Sequence, residues 1–499
     1  MFFPLLGFAP DADPTQQGVM TDCDLIIPTL RGFKAIPSDA DAGLATAPSA
    51  IASAFSYKLG DGTNQVIAGT EGSASAATSR LYNVSPSGWT DLTSSASGGD
   101  YTATARARWT FTTYGDTVYA AQKGVAIQKS TGSEFTAVSG APKALCILSV
   151  LDFVMAFNTD DGGAVYGNDA NRWWCSAAGD PDSWTADIAT QATTGLLTDT
   201  PGGITAAARV GSNVVAFKER NAYLGTYQGA PAVWGWQLIP GSGLGAYSPY
   251  SVVTVEGIGV LTIGTDNIYV YDGSRATPIG TNRVSQFLFS DLDYANAESI
   301  VGYHNQADSL VYWYYPSRQE PTGELTRYLA YNYRSDRWGF GRKSTKFAFA
   351  YLSPGATYDS LADITTTYDA LPTASYNDWL APTGTYLPAN VGSDGVVTIL
   401  DGESGTSYYT TGNLGLDGAV TVLSRSRPRF ITAPTTGEQQ HSYTNQLGGT
   451  ETISQASSGM SNGTFDHVFA ARWHKLKHTY TGNMELTGID VEANADSYE

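Results

Sequence analysis

The chain has 499 residues, of which 42% are hydrophobic and 12% aromatic, and it carries 28 Lys and Arg against 47 Asp and Glu. This apolar content excludes a disordered chain and is sufficient for a large buried core. The formal net charge of −19 repels polyanions, which argues against a protein that grips nucleic acid in a basic groove. Three cysteines without CxxC spacing indicate neither a disulfide framework nor a cysteine zinc site.

Residues 1–47 lie ahead of any internal repeat and contain five prolines. Because proline favours extended backbone, this segment is predicted to be an extended arm with short apolar anchors such as Leu25-Ile26-Ile27. We expect the arm to dock on neighbouring subunits, so that deleting residues 1–40 abolishes assembly and leaves the rest folded. No stretch approaches the ~18 uninterrupted apolar residues of a membrane helix, and no membrane-spanning segment is expected.

Residues 48–353 contain a repeated pair of strands. The first strand is rich in Tyr and other apolar residues, a polar turn follows, and the second strand carries an aromatic residue near its start. The pair occurs six times, with Thr in the aromatic position of the fifth copy: Trp89, Phe135, Trp184, Trp236, Thr277 and Trp338. The steps between these positions are 46, 49, 52, 41 and 61 residues, near the ~40–50 residues of a four-stranded propeller blade.

Two further strands are predicted ahead of each pair, for example residues 109–113 and 117–121 around the turn Tyr114-Gly115-Asp116. A single four-stranded sheet cannot bury both of its faces, and stacking such sheets around an axis solves this problem. The pattern therefore predicts an all-β fold, a β-propeller of six to eight four-stranded blades. A long antiparallel sandwich or a β-solenoid would also give short, regularly spaced strands, although solenoid coils have a shorter period.

The repeat is interrupted by residues 354–395, a loop-rich insertion with many Tyr, Thr and Asp residues. We expect a protruding loop domain there. Strands resume in residues 396–499, where an alternating run from Trp473 to Val491 predicts a hairpin around Gly482-Asn483. This C-terminal β segment is expected to close the propeller beside the first blade.

No catalytic residue, cofactor site or metal site is predicted from the motifs. No GxSxG, Walker A, HExxH or GxGxxG pattern appears in the sequence context that its chemistry needs, so we expect the chain not to be an enzyme. Two of the five histidines, His474 and His478, lie four apart on a predicted strand. Since i and i+4 on a strand are well separated, surface or interface packing is favoured over a two-histidine metal site.

Three acidic clusters occur at Asp11-Ala12-Asp13, Asp39-Ala40-Asp41 and Asp160-Asp161. Calcium binding is one interpretation, but none has the spaced ligands of an EF-hand, and Asx-turns in loops are favoured. The segment Gly179 to Trp184 is similar to the Asp-box turn of sialidase propellers. It occurs once, and we interpret it as a turn that seats Trp184 in its blade.

Three basic runs stand out from the acidic background. DNA contact is one interpretation, but the net charge favours salt bridges to acidic neighbouring subunits or a solvated face. Their members are Arg334, Arg337, Arg342, Lys343 and Lys346 in the first run, Arg425, Arg427 and Arg429 in the second, and Arg472, Lys475 and Lys477 in the third.

Several segments together resemble one family of viral proteins. The chain resembles tail proteins of short-tailed bacteriophages, of the nozzle or packaged-DNA-stabilisation (tail hub) kind, over residues 1 to about 290 and the terminal strands. The motifs are structural turns and strands and transfer no catalytic residue. They are the stretch that begins with residues 5–11 and ends with residues 29–33, and the segments Trp174 to Pro181, Val214 to Lys218 and Asn267 to Gly273.

The resemblance implies a virion structural protein, located in the tail and assembled in the host bacterial cytoplasm. Its members form a homo-oligomeric ring, typically a hexamer, that lines the DNA channel. The implied partners are portal-adaptor or tail tube proteins, tail fibre or spike proteins, and genomic DNA that passes without specific binding. The ring helps to retain packaged DNA and takes part in DNA ejection.

Retention by an acidic ring would be steric, through loops that block the channel. We name residues 59–63, 158–170 and 354–391 as gate or receptor-contact segments. An alternative function is a propeller-type glycan-binding adhesin or a glycan-degrading tail protein, because the abundant Trp and Tyr residues could stack on sugars.

Overall fold

The computed structural model describes residues 1–71, 78–85, 88–104, 106–241, 243–352, 386–460 and 462–498. In these ranges the chain is built of β-strands, with one α-helix, α1 (Ser285–Asp291), and 3-10 turns at Ser95–Ser97, Pro249–Ser251 and Tyr294–Ser299. None of the described helices has the length and apolar character needed to cross a membrane. The predicted all-β propeller is confirmed.

Six short strands precede the first blade, and they belong to three different sheets. They are β1 (Phe2–Pro4), β2 (Gly7–Phe8), β3 (Val19–Asp24), β4 (Ile26–Pro28), β5 (Phe33–Ala35) and β6 (Ser38–Asp41).

Blades 1 to 3 are four-stranded antiparallel sheets, and a two-stranded ladder of β9 (Thr78–Ser79) and β12 (Tyr101–Thr102) accompanies blade 1. Blade 1 contains β7 (Ile51–Lys58), β8 (Asn64–Thr70), β10 (Leu81–Ser85) and β11 (Gly88–Asp91). Blade 2 contains β13 (Thr110–Tyr114), β14 (Thr117–Ala121), β15 (Gln128–Ser130) and β16 (Thr136–Ala137). Blade 3 contains β17 (Lys143–Val150), β18 (Phe153–Asp160), β19 (Asn168–Cys175) and β20 (Thr193–Leu196).

Blades 4 to 6 repeat this order, and α1 lies in the connection from blade 5 to blade 6. Blade 4 contains β21 (Ile204–Val210), β22 (Asn213–Lys218), β23 (Ala222–Gly229) and β24 (Val233–Leu238). Blade 5 contains β25 (Val252–Val255), β26 (Gly259–Ile263), β27 (Ile268–Tyr271) and β28 (Ala276–Pro278). Blade 6 contains β29 (Val301–Asn305), β30 (Leu310–Tyr315), β31 (Leu325–Asn332) and β32 (Arg337–Thr345).

A seventh blade closes the ring, and its strands come from both ends of the chain. It contains β33 (Phe347–Leu352), β34 (Tyr386–Val391) and β35 (Val397–Gly402), with β6 of the N-terminal segment as the fourth strand. Ile399 pairs with Ala40 in an antiparallel register. The ring is therefore closed by backbone hydrogen bonds between residues more than 350 positions apart.

Buried apolar clusters fill the spaces between neighbouring blades. One cluster joins blades 6, 7 and 1 through residues such as Tyr312, Phe349 and Ile51, so the packing is continuous around the ring. The inner half of each blade is covered on both faces, which explains the unbroken apolar run Val214 to Phe217 in β22. The six predicted strand pairs are the outer two strands of blades 1 to 6, except that Trp184 lies in the turn between β19 and β20.

The C-terminal segment forms a second body, here called the terminal sandwich, in which two sheets face each other. One sheet contains the C-terminal strands β38, β42 and β44 together with β1 and β5. The other sheet contains the C-terminal strands β36, β37, β39, β40, β41 and β43 together with β2 and β3. The C-terminal strands are β36 (Thr406–Thr411), β37 (Leu414–Gly415), β38 (Ala419–Thr432), β39 (Thr436–Thr444), β40 (Thr452–Ile453), β41 (Ser457–Ser458), β42 (Phe465–Ala471), β43 (Trp473–Thr481) and β44 (Glu485–Tyr498).

The domain boundaries differ from those expected. Residues 1–47 are not a free arm, because β1 to β6 all pair with strands of their own chain. Removing residues 1–40 would take a strand from blade 7, so the propeller is not independent of them. Of residues 396–499 only β35 completes the propeller, and the expected closing hairpin is split, since β43 and β44 lie in different sheets. The described part of the expected insertion at 354–395 belongs to blade 7, because β34 lies within it, and residues 353–385 lie outside the described part.

Because the N-terminal strands are integral, replacing Phe33 by Ala should destabilise the whole molecule. Phe33 is fully buried among residues of blades 5 and 6 and of the sandwich. Urea unfolding followed by Trp fluorescence should show a loss of about 3–5 kcal/mol in the free energy of unfolding. Phe2→Ala is the control, since Phe2 is 47% exposed. If both substitutions had equally small effects on stability, the N-terminal strands would not be part of the common core.

Candidate functional site

A large cavity, here called the axial cavity, lies at the end of the ring where the inner strands of blades 2 to 6 begin. Its volume is about 810 Å³, within the range of small-molecule sites. Its wall consists of residues that precede or begin the inner strands of blades 2 to 6, such as Arg108, Thr205 and Tyr250. Turns between the second and third strands of blades 2, 4 and 5 complete the wall. The fold thus brings seven or more separate loops to one place.

The axial cavity is cationic although the chain is acidic. Arg106, Arg108, Lys123 and Arg220 line it, against two carboxylates, Glu219 and Glu298. These six side chains come from four separate connections: the entry to blade 2, the turn between β14 and β15, the turn between β22 and β23, and the entry to blade 6. The concentration of positive charge is a property of the folded ring.

Two of the arginines have partners on the entry to blade 6. Arg106 donates to Asn296 Oδ1 at 3.0 Å and its guanidinium lies 3.8 Å from Glu298. Arg108 donates to the carbonyl oxygen of Ser299 at 3.0 Å. Burial lowers the pKa of Arg108, and the negative charges of Glu71 and Glu298 oppose that effect. Both arginines are therefore positioned from across the cavity.

Lys123 is held by an amide instead of a carboxylate. Its ammonium donates to Asn158 Oδ1, and Asn158 Nδ2 donates to the carbonyl oxygen of Ile204 at 2.8 Å. Burial lowers the pKa of Lys123. Asn158 has φ 56° and lies at a register shift between β18 and β19, and Arg106 has φ 60°. Left-handed backbone at two non-glycine residues of one cavity is local strain of the kind that accompanies functional sites.

Tyrosines form the rest of the rim. Tyr247 and Tyr250 precede the inner strand of blade 5, and Tyr294 at the entry to blade 6 is 57% exposed. The Tyr250 hydroxyl donates to the carbonyl oxygen of Trp109 and so fixes its ring at the wall. Exposed aromatic faces beside cationic and carboxylate groups can stack on sugar rings while the charged groups bind hydroxyls or acidic substituents.

The three basic runs predicted from the sequence do not form this site. Six of their eleven side chains form ion pairs within the described part of the chain, whereas the expectation was salt bridges to neighbouring subunits or a solvated face. The pairs are Arg342 with Asp24 at 3.2 Å, Lys343 with Asp39 at 2.8 Å, Lys346 with Glu71 at 2.7 Å, Arg425 with Asp466 at 2.6 Å, Arg429 with Asp490, and Lys475 with Glu451 at 2.5 Å.

The acidic clusters serve as turns and caps. Asp161 accepts hydrogen bonds from the backbone of residues 163 and 165–167, which lowers the pKa of its carboxyl to about 2. Asp11 caps the start of α1 by accepting from the backbone nitrogens of Gln286 and Phe287. No group of three or more metal-ligating side chains occurs in the part of the chain that the structure describes.

The segment similar to an Asp-box acts as the expected turn. Trp184 is buried, and its indole nitrogen donates to the carbonyl oxygen of Pro181 at 2.9 Å. Of the gate segments, residues 59–63 form the turn between β7 and β8, and residues 158–170 include the Asp161 turn and reach the axial cavity at Asn158. Of the third gate segment, residues 354–385 lie outside the described residues.

The sequence prediction missed the axial cavity because its cations are far apart in the chain. The sequence feature that could have indicated the cavity is the basic pair in Arg106-Ala107-Arg108, because only 15% of the residues in this chain are charged. Arg220 lies in a short turn with no pattern that marks it. Only the ring order of the blades brings these residues together.

Four of the five histidines meet between the two sheets of the terminal sandwich. His441 Nε2 and His474 Nδ1 are 2.9 Å apart, and the rings of His441 and His467 are 5.3 Å apart. His478 is fully buried and stacks on Tyr409, and neither of its ring nitrogens has a hydrogen-bond partner among the described residues. Surface or interface packing was the prediction for His474 and His478; both are instead buried inside the sandwich, and their cluster with His441 and His467 was not foreseen.

Comparison with known proteins finds relatives by fold alone. No protein-family model and no curated protein matches the chain. Similar solved structures include YCF48 from Cyanidioschyzon merolae, with 10% identity, a TM-score of 0.35 and coverage of 72% of this chain and 97% of that chain. The six-bladed fucose-binding Aleuria aurantia lectin has 11% identity, a TM-score of 0.30 and coverage of 58% and 93%.

A third structure in the comparison is the exo-β-1,3-galactanase from Phanerochaete chrysosporium. It has 9% identity and a TM-score of 0.25, and the match covers 77% of this chain and 95% of that chain. At such identities and TM-scores these likenesses concern the fold and carry no argument about activity or ligands.

The expectation that the chain is not an enzyme is wrong as an exclusion, because it rested on missing linear motifs alone; structures titled as a glycoside hydrolase and an exo-β-1,3-galactanase are also among those that the comparison finds. Glycosidases use two carboxyl groups placed by the fold, which need not leave a linear motif. Missing motifs therefore do not exclude hydrolysis, and Glu219 and Glu298 line one cavity.

The histidine cluster should make the protein sensitive to acid. Burial lowers the pKa to about 3 for His441 and His478 and to about 4 for His467. The unfolded chain takes up these protons near pH ~6.5, so stability should fall as the pH drops from ~6.5 towards ~4 and level off below ~3. Urea midpoints measured across this range should show the fall.

His478→Phe is the matching variant, since a phenyl ring preserves the stacking on Tyr409 and cannot be protonated. It should flatten the pH dependence, whereas the control His304→Gln, in blade 6 and outside the cluster, should keep most of it. A pH dependence that is unchanged by His478→Phe would contradict the role of the cluster.

Proposed function

We propose that this chain is a structural subunit of a short-tailed bacteriophage tail, of the nozzle or hub kind. In this proposal it forms a homo-oligomeric, six-fold ring in the virion tail, lines the DNA channel, helps to retain packaged DNA and takes part in ejection. Its partners are portal-adaptor or tail tube proteins and tail fibre or spike proteins, and it assembles in the host bacterial cytoplasm. The resemblance of its sequence motifs supports this role.

The open edge of the terminal sandwich is the observation that carries the assembly proposal. Strand β42 ends its sheet and pairs only with β38 among the described strands. Val468 in the middle of β42 is 84% exposed. An unprotected edge strand with an exposed apolar side chain is a template for pairing with another chain.

Exposed apolar side chains are concentrated in the terminal sandwich and the N-terminal segments that join it. More than half of the large apolar side chains that are exposed belong to the terminal sandwich and its N-terminal strands and loops, although these make up about a quarter of the chain. They are Met1, Phe2, Leu6, Leu30, Leu416, Ile431, Leu447, Ile453, Met460 and Val468. Such a distribution supports subunit contacts through the sandwich and not through the propeller.

The charge is compatible with a DNA channel. A ring multiplies the net charge of −19 per subunit, and an acidic wall repels the phosphate backbone. DNA would then remain hydrated and mobile in the channel, as passage during ejection requires.

Val468→Lys should prevent assembly, because a charged side chain on an edge strand blocks pairing with a second chain. Electron microscopy and light scattering of the protein mixed with its adaptor ring should show rings for the wild type and unassembled subunits for the variant. Val165→Lys is the control, since Val165 is 74% exposed on a blade 3 loop. Normal ring formation by Val468→Lys would refute the assembly surface.

A second candidate function is a propeller-type glycan-binding or glycan-degrading protein. The axial cavity supports it, because Glu219, Glu298 and Tyr294 line one space of a suitable size. Two carboxylates are the groups that glycosidases use as acid and base or nucleophile, and tyrosine rings stack on sugars.

Glu219→Gln and Glu298→Gln test the degrading function. If the two carboxylates catalyse hydrolysis, each substitution should lower the release of reducing sugar from bacterial surface polysaccharides by about 100-fold or more. Glu256→Gln is the control, because Glu256 is exposed outside the cavity. Turnover that survives both cavity substitutions would contradict catalysis at this site.

A further inference from the structure

We propose that the axial cavity binds an acidic sugar residue, with the anionic group of the sugar against Lys123 and Arg220 and a ring face against the tyrosine rim. This inference rests on the second candidate function, glycan binding, and specifies its ligand class. It is independent of the role of the sandwich in assembly.

The unpaired cations indicate an anionic ligand. Arg106 has Glu298 as a partner, but neither Lys123 nor Arg220 forms an ion pair with a carboxylate among the residues that the structure describes. Half-buried Lys123 contacts only the neutral amide of Asn158 at its ammonium group. Arg220 is exposed, and the carboxylate of Asp160 acts on Lys123 without forming an ion pair with it. The half-buried ammonium of Lys123 therefore gains more from an incoming anion than an exposed cation does.

The cations are also held in position before any ligand binds. The Asn158 amide is fixed by its second bond to the carbonyl oxygen of Ile204, and its strained backbone places it at the register shift of β18. Arg108 is fixed by Ser299 across the cavity. Preorganised donors lose little conformational entropy on binding, so the strain at Asn158 has a use.

The acceptors and aromatic rings indicate a sugar instead of a bare anion. Glu219 and Glu298 would repel an inorganic anion at close range but accept hydrogen bonds from hydroxyl groups. Tyr294 offers an exposed ring at the rim. A ligand that carries one negative group and several hydroxyls matches this mixture, and a cavity of about 810 Å³ encloses a few sugar rings but no nucleic-acid duplex.

Calorimetric titration of the full chain tests the proposal with four probes: a hexuronate trisaccharide, the neutral hexose trisaccharide of the same linkage, a hexose 6-phosphate and inorganic phosphate. The hexuronate should bind at least about tenfold more tightly than its neutral counterpart, as expected for hydrogen bonds to charged groups. Binding should weaken as the NaCl concentration rises. The hexose 6-phosphate distinguishes a phosphate-bearing from a carboxylate-bearing sugar.

Arg220→Gln and Lys123→Met should each weaken hexuronate binding by about tenfold or more, with little change in binding of the neutral trisaccharide. Arg209→Gln is the matched control, because Arg209 is an exposed arginine of blade 4 outside the cavity wall. Circular dichroism of each variant shows whether the fold is retained.

The outcomes separate the two levels of the proposal. Equal binding of the neutral and acidic trisaccharides would overturn the acidic-sugar inference and leave glycan binding standing. Inorganic phosphate binding as tightly as the hexuronate would overturn the sugar part. If no saccharide binds and the cavity substitutions change nothing, both the inference and the glycan-binding function fail.

Discussion

The pairing of Ser38–Asp41 with Val397–Gly402 is the contact on which the rest of the structure depends. Without it blade 7 would have three strands, and the ring would be closed by side-chain packing alone. Closing a loop of more than 350 residues costs conformational entropy, but that cost grows only slowly with loop length. The backbone ladder and the apolar cluster between blades 6, 7 and 1 offset it together.

The same N-terminal segment fixes the position of the terminal sandwich. Strand β4 pairs with β32 of blade 6 and with β5, and β5 in turn pairs with β44, so one sheet runs from the propeller into the sandwich. Beside it, Arg327 and Asp291 form a buried ion pair at 2.9 Å, and Tyr315 and Ser317 also donate to Asp291. Because Asp291 accepts from all three of these side chains, the buried pair anchors α1 to blade 6.

Charge is distributed unevenly over this framework. Many of the acidic side chains accept backbone hydrogen bonds in turns or form ion pairs, so the negative charge is dispersed. The axial cavity is different, because four cations from distant parts of the chain face one space. A protein of this design can present an acidic exterior to DNA or to neighbouring subunits and a cationic pocket to a small ligand.

Local sequence patterns were sufficient to predict most of the blades. The aromatic and β-branched runs, the turn residues and the period of 41 to 61 residues are local properties, and they predicted six of the seven blades with their outer strand pairs. Local patterns could not show that β6 completes blade 7, nor that β43 and β44 separate into two sheets, because strand pairing between distant segments leaves no local signal. For the same reason the sequence did not show that two sets of residues are close in space. These are the cavity cations Arg106, Arg108, Lys123 and Arg220, and the sandwich histidines His441, His467, His474 and His478. Only the tertiary structure decided which of these residues share a cavity or a core, since that depends on the order of blades around the axis and on how the two chain ends fold together.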